Sequence, residues 1–276
     1  MMENIYGIKY TKPQVTLLQQ TGIGVAESAA RTCYDSFSNS ENEAIKMLEN
    51  SLPSPQQCQE INAIESSELL DDLAWTYFHH SILEHTNLSY LVRGTSRGVL
   101  QEHARHRIQA ISVRSTRYTM SSLINAFVAS QGDREFFIQK VLSYDMFVTQ
   151  DESYNRLEIS SMFDKLSFQQ QNVEDFYALA VAKSSLEFLQ HYTDDSQALY
   201  EALQNGKKKR NVGDAFKHII TDNVKVDMVV TFNLRSLKNY FTLRDSGAAY
   251  FQIRWLAQEM KKVTPQKYLD LIIKQG

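Results

Sequence analysis

Between Gln101 and Met120 the chain reads QEHARHRIQAISVRSTRYTM, which brings together Arg105, His106, Arg107, Arg114 and Arg117. Guanidinium groups this close repel one another, and helix solvation does not require them. Their fork geometry matches phosphate and carboxylate bidentately, so the cluster points to an anion site. Farther on, NLRSLKNYFTLR supplies Asn233, Arg235, Asn239 and Arg244. Arg105, Arg107, Arg117, Arg235 and Arg244, with His106 and Ser115 nearby, are the groups whose types suit an anionic ligand. The charge is local. The chain has 29 Lys+Arg against 32 Asp+Glu, a formal net charge of −3, which argues against a general nucleic-acid coat.

The elements around the cluster must position it. Asn87 to Arg93 alternates Leu88, Tyr90 and Val92 with more polar neighbours, a strand pattern. Gly94 interrupts it, and Thr95 or Ser96 can cap a helix through Val99, Leu100 and Ala104 that delivers Arg105-His106-Arg107 at its end. Ile111 to Thr119 alternates again. If extended, it turns Val113, Ser115 and Arg117 to one side and Arg114, Thr116 and Tyr118 to the other.

Upstream, Ile5 to Lys12 reads as a short strand, Val15 to Cys33 as a helix with an ill-defined start at Gly22 and Gly24, and Glu43 to Glu49 as another helix. Ser51 to Gln57 reads as a loop, and Ile61 to His79 as one long helix. Residues 134–205 are rich in Leu, Phe, Glu and Gln and read as three or four helices. Val224 to Phe232 is β-rich. It leads into a helix started by Thr231 or Asn233, on which Arg235 and Asn239 share a face. A last helix covers Ala249 to Lys262. Strands mixed irregularly with helices indicate an α+β fold. No G-x-G-x-x-G follows a strand, so a Rossmann site is not expected.

The two cysteines, Cys33 and Cys58, form no disulfide or zinc pattern, and reduced thiols in a cytoplasm are the expectation. The N-terminus lacks a basic and apolar leader, and no membrane span is expected. His79, His80, Glu84 and His85 (HHSILEH) invite a metal reading. Their order fits neither H-E-x-x-H nor H-x-x-E-H, so no metal is expected. A metal-dependent phosphohydrolase using these histidines and a noncatalytic nucleotide- or RNA-binding module using the arginines are the rival functions.

Arg105-His106-Arg107, seven residues and then Ser115 resembles the RHR-x7-S signature of the flavin-dependent thymidylate synthases. HHSILEH, Ala30-Arg31-Thr32-Cys33-Tyr34 and NLRSLKNYFTLR resemble three more of that family's blocks, in the same order. The resemblance implies one synthase domain over residues 1–276, with a helical segment about 134–222 inside it. Its fold would be a mixed or antiparallel sheet flanked by helices, with an added helical layer, assembled as a cytoplasmic homotetramer with sites shared between subunits. The implied activity is reductive methylation of dUMP to dTMP. Methylenetetrahydrofolate is the carbon donor and FADH2 the reductant, regenerated by NADPH, with no nucleic acid or membrane partner. By the same resemblance, Arg244 faces the uracil and favours ionisation at N3, with Ser115 beside it as the second catalytic group. The dUMP site would comprise Glu102, Arg105, Val113, Arg114, Ser115, Thr116, Arg117, Lys217 and Arg244. The FAD site would comprise Cys33, His79, Ser81, Glu84, Arg105, His106, Arg107, Asn233, Arg235 and Asn239.

The chain departs from the family pattern at three places. Glu102 stands where the family has glutamine, and pairing with a neighbouring arginine would let it still accept a hydrogen bond. Lys217 replaces a phosphate-binding arginine, and lysine binds phosphate as a point charge rather than a fork. After Arg244 the sequence Ala249-Tyr250-Phe251-Gln252 replaces Ala-Gln-x-Glu.

Overall fold

The alternation of Leu88, Tyr90 and Val92 is realised in a strand, Asn87–Ser96, on which these three side chains are fully buried. The computed structural model describes residues 2–5, 8–116, 222 and 224–274. The strands are β1 (Met2–Ile5), β2 (Ile8–Thr11), β3 (Gln14–Gln20), β4 (Asn87–Ser96), β5 (Ala110–Val113) and β6 (Lys225–Asn233). The α-helices are α1 (Ile23–Tyr34), α2 (Glu43–Lys46), α3 (Pro55–Asn62), α4 (Glu68–Trp75), α5 (Arg97–His103), α6 (Leu234–Arg244), α7 (Phe251–Val263) and α8 (Gln266–Ile272). Strands β1 and β2 pair antiparallel in a hairpin, and β3-β4-β6-β5 form a four-stranded sheet with β3 antiparallel to β4. The α+β expectation holds.

Backbone contacts divide the chain into two compact units. The first comprises Met1–Lys12, Gly94–Leu100 and Val113–Asp227; the second comprises Pro13–Arg93, Gln101–Ser112 and Met228–Gly276. In the first, Gly94 takes the left-handed backbone (φ 73°) and donates its N–H to Asp227 Oδ1 at 2.9 Å. Ser96 Oγ then accepts from the Val99 N–H at 3.2 Å. The switch from strand to helix is thus made by one glycine conformation and one hydroxyl cap. The Arg114 N–H donates to the Asp227 carbonyl at 2.8 Å.

In the second unit, α7 packs on β3, α6 packs on α7 and α8, and α1 packs on α3 and α4. Phe232, Leu237, Tyr240, Ile253, Leu256 and Met260 are fully buried there. Polar groups inside this core are paired: Tyr90 Oη meets Thr264 Oγ1 at 2.9 Å, and the Tyr268 hydroxyl donates to the Thr21 carbonyl at 3.1 Å. The buried Glu27 carboxylate accepts from Ser40, Asn42 and Arg31, tying the turn after α1 back to the helix.

Several local expectations are corrected. Ile5 to Lys12 is not one strand but spans a hairpin. Val15 to Gln20 is strand rather than helix, because Val15 and Leu17 register against Val92 and Tyr90 of β4, and helix begins only at Ile23. Pro55 lies inside α3, not in a loop: Ser54 and Gln57 form a capping box ahead of it. The long helix over Ile61 to His79 is two, since Ser67 caps a second start by accepting from the Leu70 N–H at 3.4 Å. Strand β5 stops at Val113, so Arg114, Ser115 and Thr116 lie beyond it, and Arg117 to Thr119 lie outside the described residues. The last helix begins at Phe251 rather than Ala249, and α8 follows Pro265. The helices read over 134–205 lie outside the described residues.

Gly22 and Gly24 have a packing reason. A Cβ on Gly22 would overlap the Asn62 backbone, and one on Gly24 the Ile61 carbonyl. Alanine at position 24 raises helix propensity by about 1 kcal/mol, yet the backbone obstacle reverses the sign. Gly24→Ala is expected to lower stability by roughly 1–3 kcal/mol, read as a lower urea midpoint. A raised midpoint would remove the close approach as the reason.

Candidate functional site

Helix α5 ends at His103, and the next turn is closed by the Arg105 N–H on the Glu102 carbonyl (3.3 Å) and the His106 N–H on the His103 carbonyl (3.1 Å). The arginine-histidine-arginine triplet therefore sits just past the helix, not on it. Opposite stands α6. Asn233 caps it, its Oδ1 accepting from the Ser236 N–H at 2.8 Å. Leu234, Leu237, Tyr240 and Phe241 face the core, while Arg235, Asn239 and Arg244 line a cavity of about 960 Å³ with Arg105, His106 and Arg107. The shared face expected for Arg235 and Asn239 is realised. Asn233 does not line this cavity; its side-chain oxygen serves the helix start.

Arg244 is the most constrained of these cations. Its Nη1 donates to Glu102 Oε2 at 2.7 Å, its Nη2 to the Glu102 carbonyl at 3.3 Å, and its Nε to His106 Nε2 at 2.9 Å. Its side chain is 16% exposed, so the ion pair is partly desolvated and stronger than a surface pair. Because His106 Nε2 accepts from a guanidinium, that imidazole is neutral with its proton on Nδ1. Its pKa is pushed down to about 4 by burial first, then by Arg244 and Arg105. The ring meets Tyr240 edge-on at 4.8 Å.

Behind it, His103 is fully buried, with Nδ1 3.1 Å from the Tyr240 hydroxyl. Its pKa is also lowered to about 4, by burial and then by His106, with a Gln109 hydrogen bond opposing and Arg244 adding to the fall. Burial raises the Tyr240 phenol well above its ordinary range. His103 and Tyr240 are thus neutral groups that set the wall behind His106.

A second cavity, about 470 Å³, is lined by Cys33, Tyr34, Phe78, His79, Ser81 and Arg235 among others. Arg235 borders both cavities and pairs with Glu84 at 2.5 Å. The Tyr34 hydroxyl lies 2.9 Å from His79 Nδ1. Phe78 has a left-handed backbone, φ 56°, and a 63%-exposed ring, a strained conformation of the kind concentrated at functional sites.

The structure thus brings together Glu102, Arg105, His106, Arg107, Arg235, Asn239 and Arg244 around the larger cavity or its Arg244 clamp. It places Cys33, His79 and Ser81 in the smaller one, with Glu84 joined to it through Arg235. Val113 and Ser115 are half-buried, Arg114 is exposed and Thr116 is buried; all four belong to the first unit. Arg117 and Lys217 lie outside the described residues. Sequence reasoning missed Tyr240 and Phe78. Tyr240 is five residues after Arg235 and reads as an ordinary core aromatic; no periodicity marks the backbone of Phe78. Among the described residues, no group of three or more His, Cys, Asp or Glu side chains is placed to hold a metal ion. No described helix is long and apolar enough to cross a membrane.

Residues 16–267 match the family described as thymidylate synthase complementing protein. The flavin-dependent thymidylate synthase of Wolinella succinogenes is 26% identical over 264 residues, covering 95% of this chain and 99% of that protein. That of Campylobacter jejuni strain RM1221 is 28% identical over 255 residues, covering 92% and 93%. Among solved structures, thymidylate synthase X from Helicobacter pylori, crystallised with FAD and dUMP, aligns with a TM-score of 0.57 at 22% identity, covering 94% of this chain and 97% of that one. At this identity the likeness establishes a shared fold.

Proposed function

The chain belongs to the thymidylate synthase complementing protein family, and on that premise we propose that it is a flavin-dependent thymidylate synthase converting dUMP to dTMP. Support comes from named relatives spanning nearly the whole chain and from a cavity lined by four arginines and a neutral histidine. The carrying observation is Arg244, held at the cavity wall by Glu102 and His106.

The residues present suit FAD. Arg105, Arg107 and Arg235 supply charge for its diphosphate, Asn239 supplies an amide, and the second cavity adds His79, Ser81, Cys33 and exposed aromatic rings. Bound there and reduced by NADPH, FAD would supply the hydride that turns the methylene unit taken from methylenetetrahydrofolate into the methyl group. Everything else falls to the chain. Arg244 offers its remaining N–H groups to the uracil edge and favours the N3-ionised, electron-rich ring. Ser115 and Arg117 hold the nucleotide, Lys217 meets its phosphate, and Glu102, Arg105, Val113, Arg114 and Thr116 complete that site. His106, lacking charge, orients Arg244 without competing for the anion. No side chain is assigned as a covalent nucleophile, and Cys33 is a wall of the flavin site. The proposed catalyst is one domain acting as a cytoplasmic homotetramer with shared sites, free of nucleic-acid or membrane partners.

Purified protein is expected to show oxidised-flavin absorbance that bleaches when NADPH is added anaerobically with dUMP. A colourless protein that takes up no added FAD would overturn the reading, and metal analysis would then test the phosphohydrolase alternative.

A further inference from the structure

Arg244 carries five N–H groups, and among the described residues three are engaged: one by His106, and two by a single residue, Glu102, through its carboxylate and its own carbonyl. One N–H remains on each terminal nitrogen. Those two N–H groups are the donors left for the acceptors of a planar ligand. Glu102 is itself partly buried, with its side chain 34% exposed, and among the described residues its charge pairs with a guanidinium that also has Arg105 and the neutral His106 beside it, with His103 and Tyr240 behind.

We propose that Glu102 is a positioning residue for Arg244, holding the guanidinium so that its remaining N–H groups meet the nucleotide base, while its charge tempers how strongly Arg244 favours an ionised N3. The proposal rests on the synthase reading and adds to it a role for the carboxylate that, among the described residues, is bound to the activating arginine. A neutral amide at position 102 keeps an acceptor for Nη1 but removes the charge. A methyl group removes both. The two functions of the residue are therefore separable by substitution.

The test uses FAD-loaded protein and 5-fluoro-dUMP, whose N3 proton is more acidic than that of uracil and whose fluorine reports ionisation by 19F NMR without flavin interference. In Glu102→Gln, the N3 midpoint of the bound nucleotide is expected to fall by about one pH unit relative to wild type, and dUMP to bind several-fold tighter. Glu102→Asp should return the midpoint toward the wild-type value. Glu102→Ala should weaken dUMP binding despite the lost charge, because the guanidinium loses its side-chain anchor at Nη1 and keeps only the backbone carbonyl and His106. Thermal melting of each variant separates these shifts from unfolding. Wild-type protein that binds neither FAD nor dUMP overturns the synthase reading and this assignment together. Wild-type protein that binds both, with midpoint and affinity unmoved or the midpoint raised in Glu102→Gln, overturns the assignment of Glu102 alone.

Discussion

Arg244→Ala is expected to lower kcat/KM for dUMP by roughly 10²–10³, the cost of removing one preorganised donor from a developing anion. The magnitude follows from the clamp. Glu102 and His106 fix the guanidinium before any ligand arrives, so no reorganisation offsets its loss. Arg244→Lys should recover only part, since an ammonium keeps the charge but offers no planar fork and cannot reach both Glu102 and His106 in the same way. Alanine also leaves the Glu102 carboxylate without its ion pair. Flavin content and melting temperature therefore have to be measured beside turnover. A variant that keeps its flavin, melts near wild type and turns over within tenfold of it would take Arg244 out of the activating role.

Acid is expected to weaken the fold through His103. Its pKa drops from an ordinary 6.5 to about 4 in the folded protein. The unfolded chain thus takes up its proton first as pH falls. The contribution of neutral, buried His103 is fully present above about pH 6.5, declines between there and about pH 4, and is flat below. The span corresponds to about 3 kcal/mol. His106 shifts in the same direction and to a similar value, but its ring is only half-buried and solvent screens its share. The two rings interact, so they titrate as a pair. Urea unfolding across this range, in wild type and in His103→Leu, measures the effect as a difference in slope. Identical slopes in the two proteins would mean that His103 is charged in the native state or that its proton is compensated elsewhere.

Much of the site was legible from residue type and spacing. Arg105, His106 and Arg107 stood out as an anion cluster, and Arg235 with Asn239 as one helical face, because both patterns are local and depend on geometry that a short segment carries by itself. The pairing of Glu102 with an arginine was foreseeable from its charge, but its partner was not. Arg244 lies 142 residues away in sequence, and only the packing of α6 beside the end of α5 selects it among the neighbouring cations. Asn233 shows the reverse: its type suits both a helix cap and a ligand contact, and the structure commits its side-chain oxygen to the cap.

The strand errors have a common cause. Val15 to Gln20 has no strong preference of its own. Its conformation is decided by hydrogen bonding to β4, 70 or so residues later, and propensity does not see such a partner. In the same way, the single helix read over Ile61 to His79 failed because a correct period of apolar residues continues across a Ser67 cap that restarts the turn.

The sequence by itself determined the class of chemistry, since fork-bearing cations in motif spacing are a property of the chain. It also determined the strands and helices whose apolar periods are strong, β4, β6 and α6 among them. Only the tertiary structure decided the protonation and pairing inside the site. A histidine is neutral or charged, and an arginine free or clamped, according to burial and to the sign of the nearest charge. Both are set by segments that meet only when the chain folds.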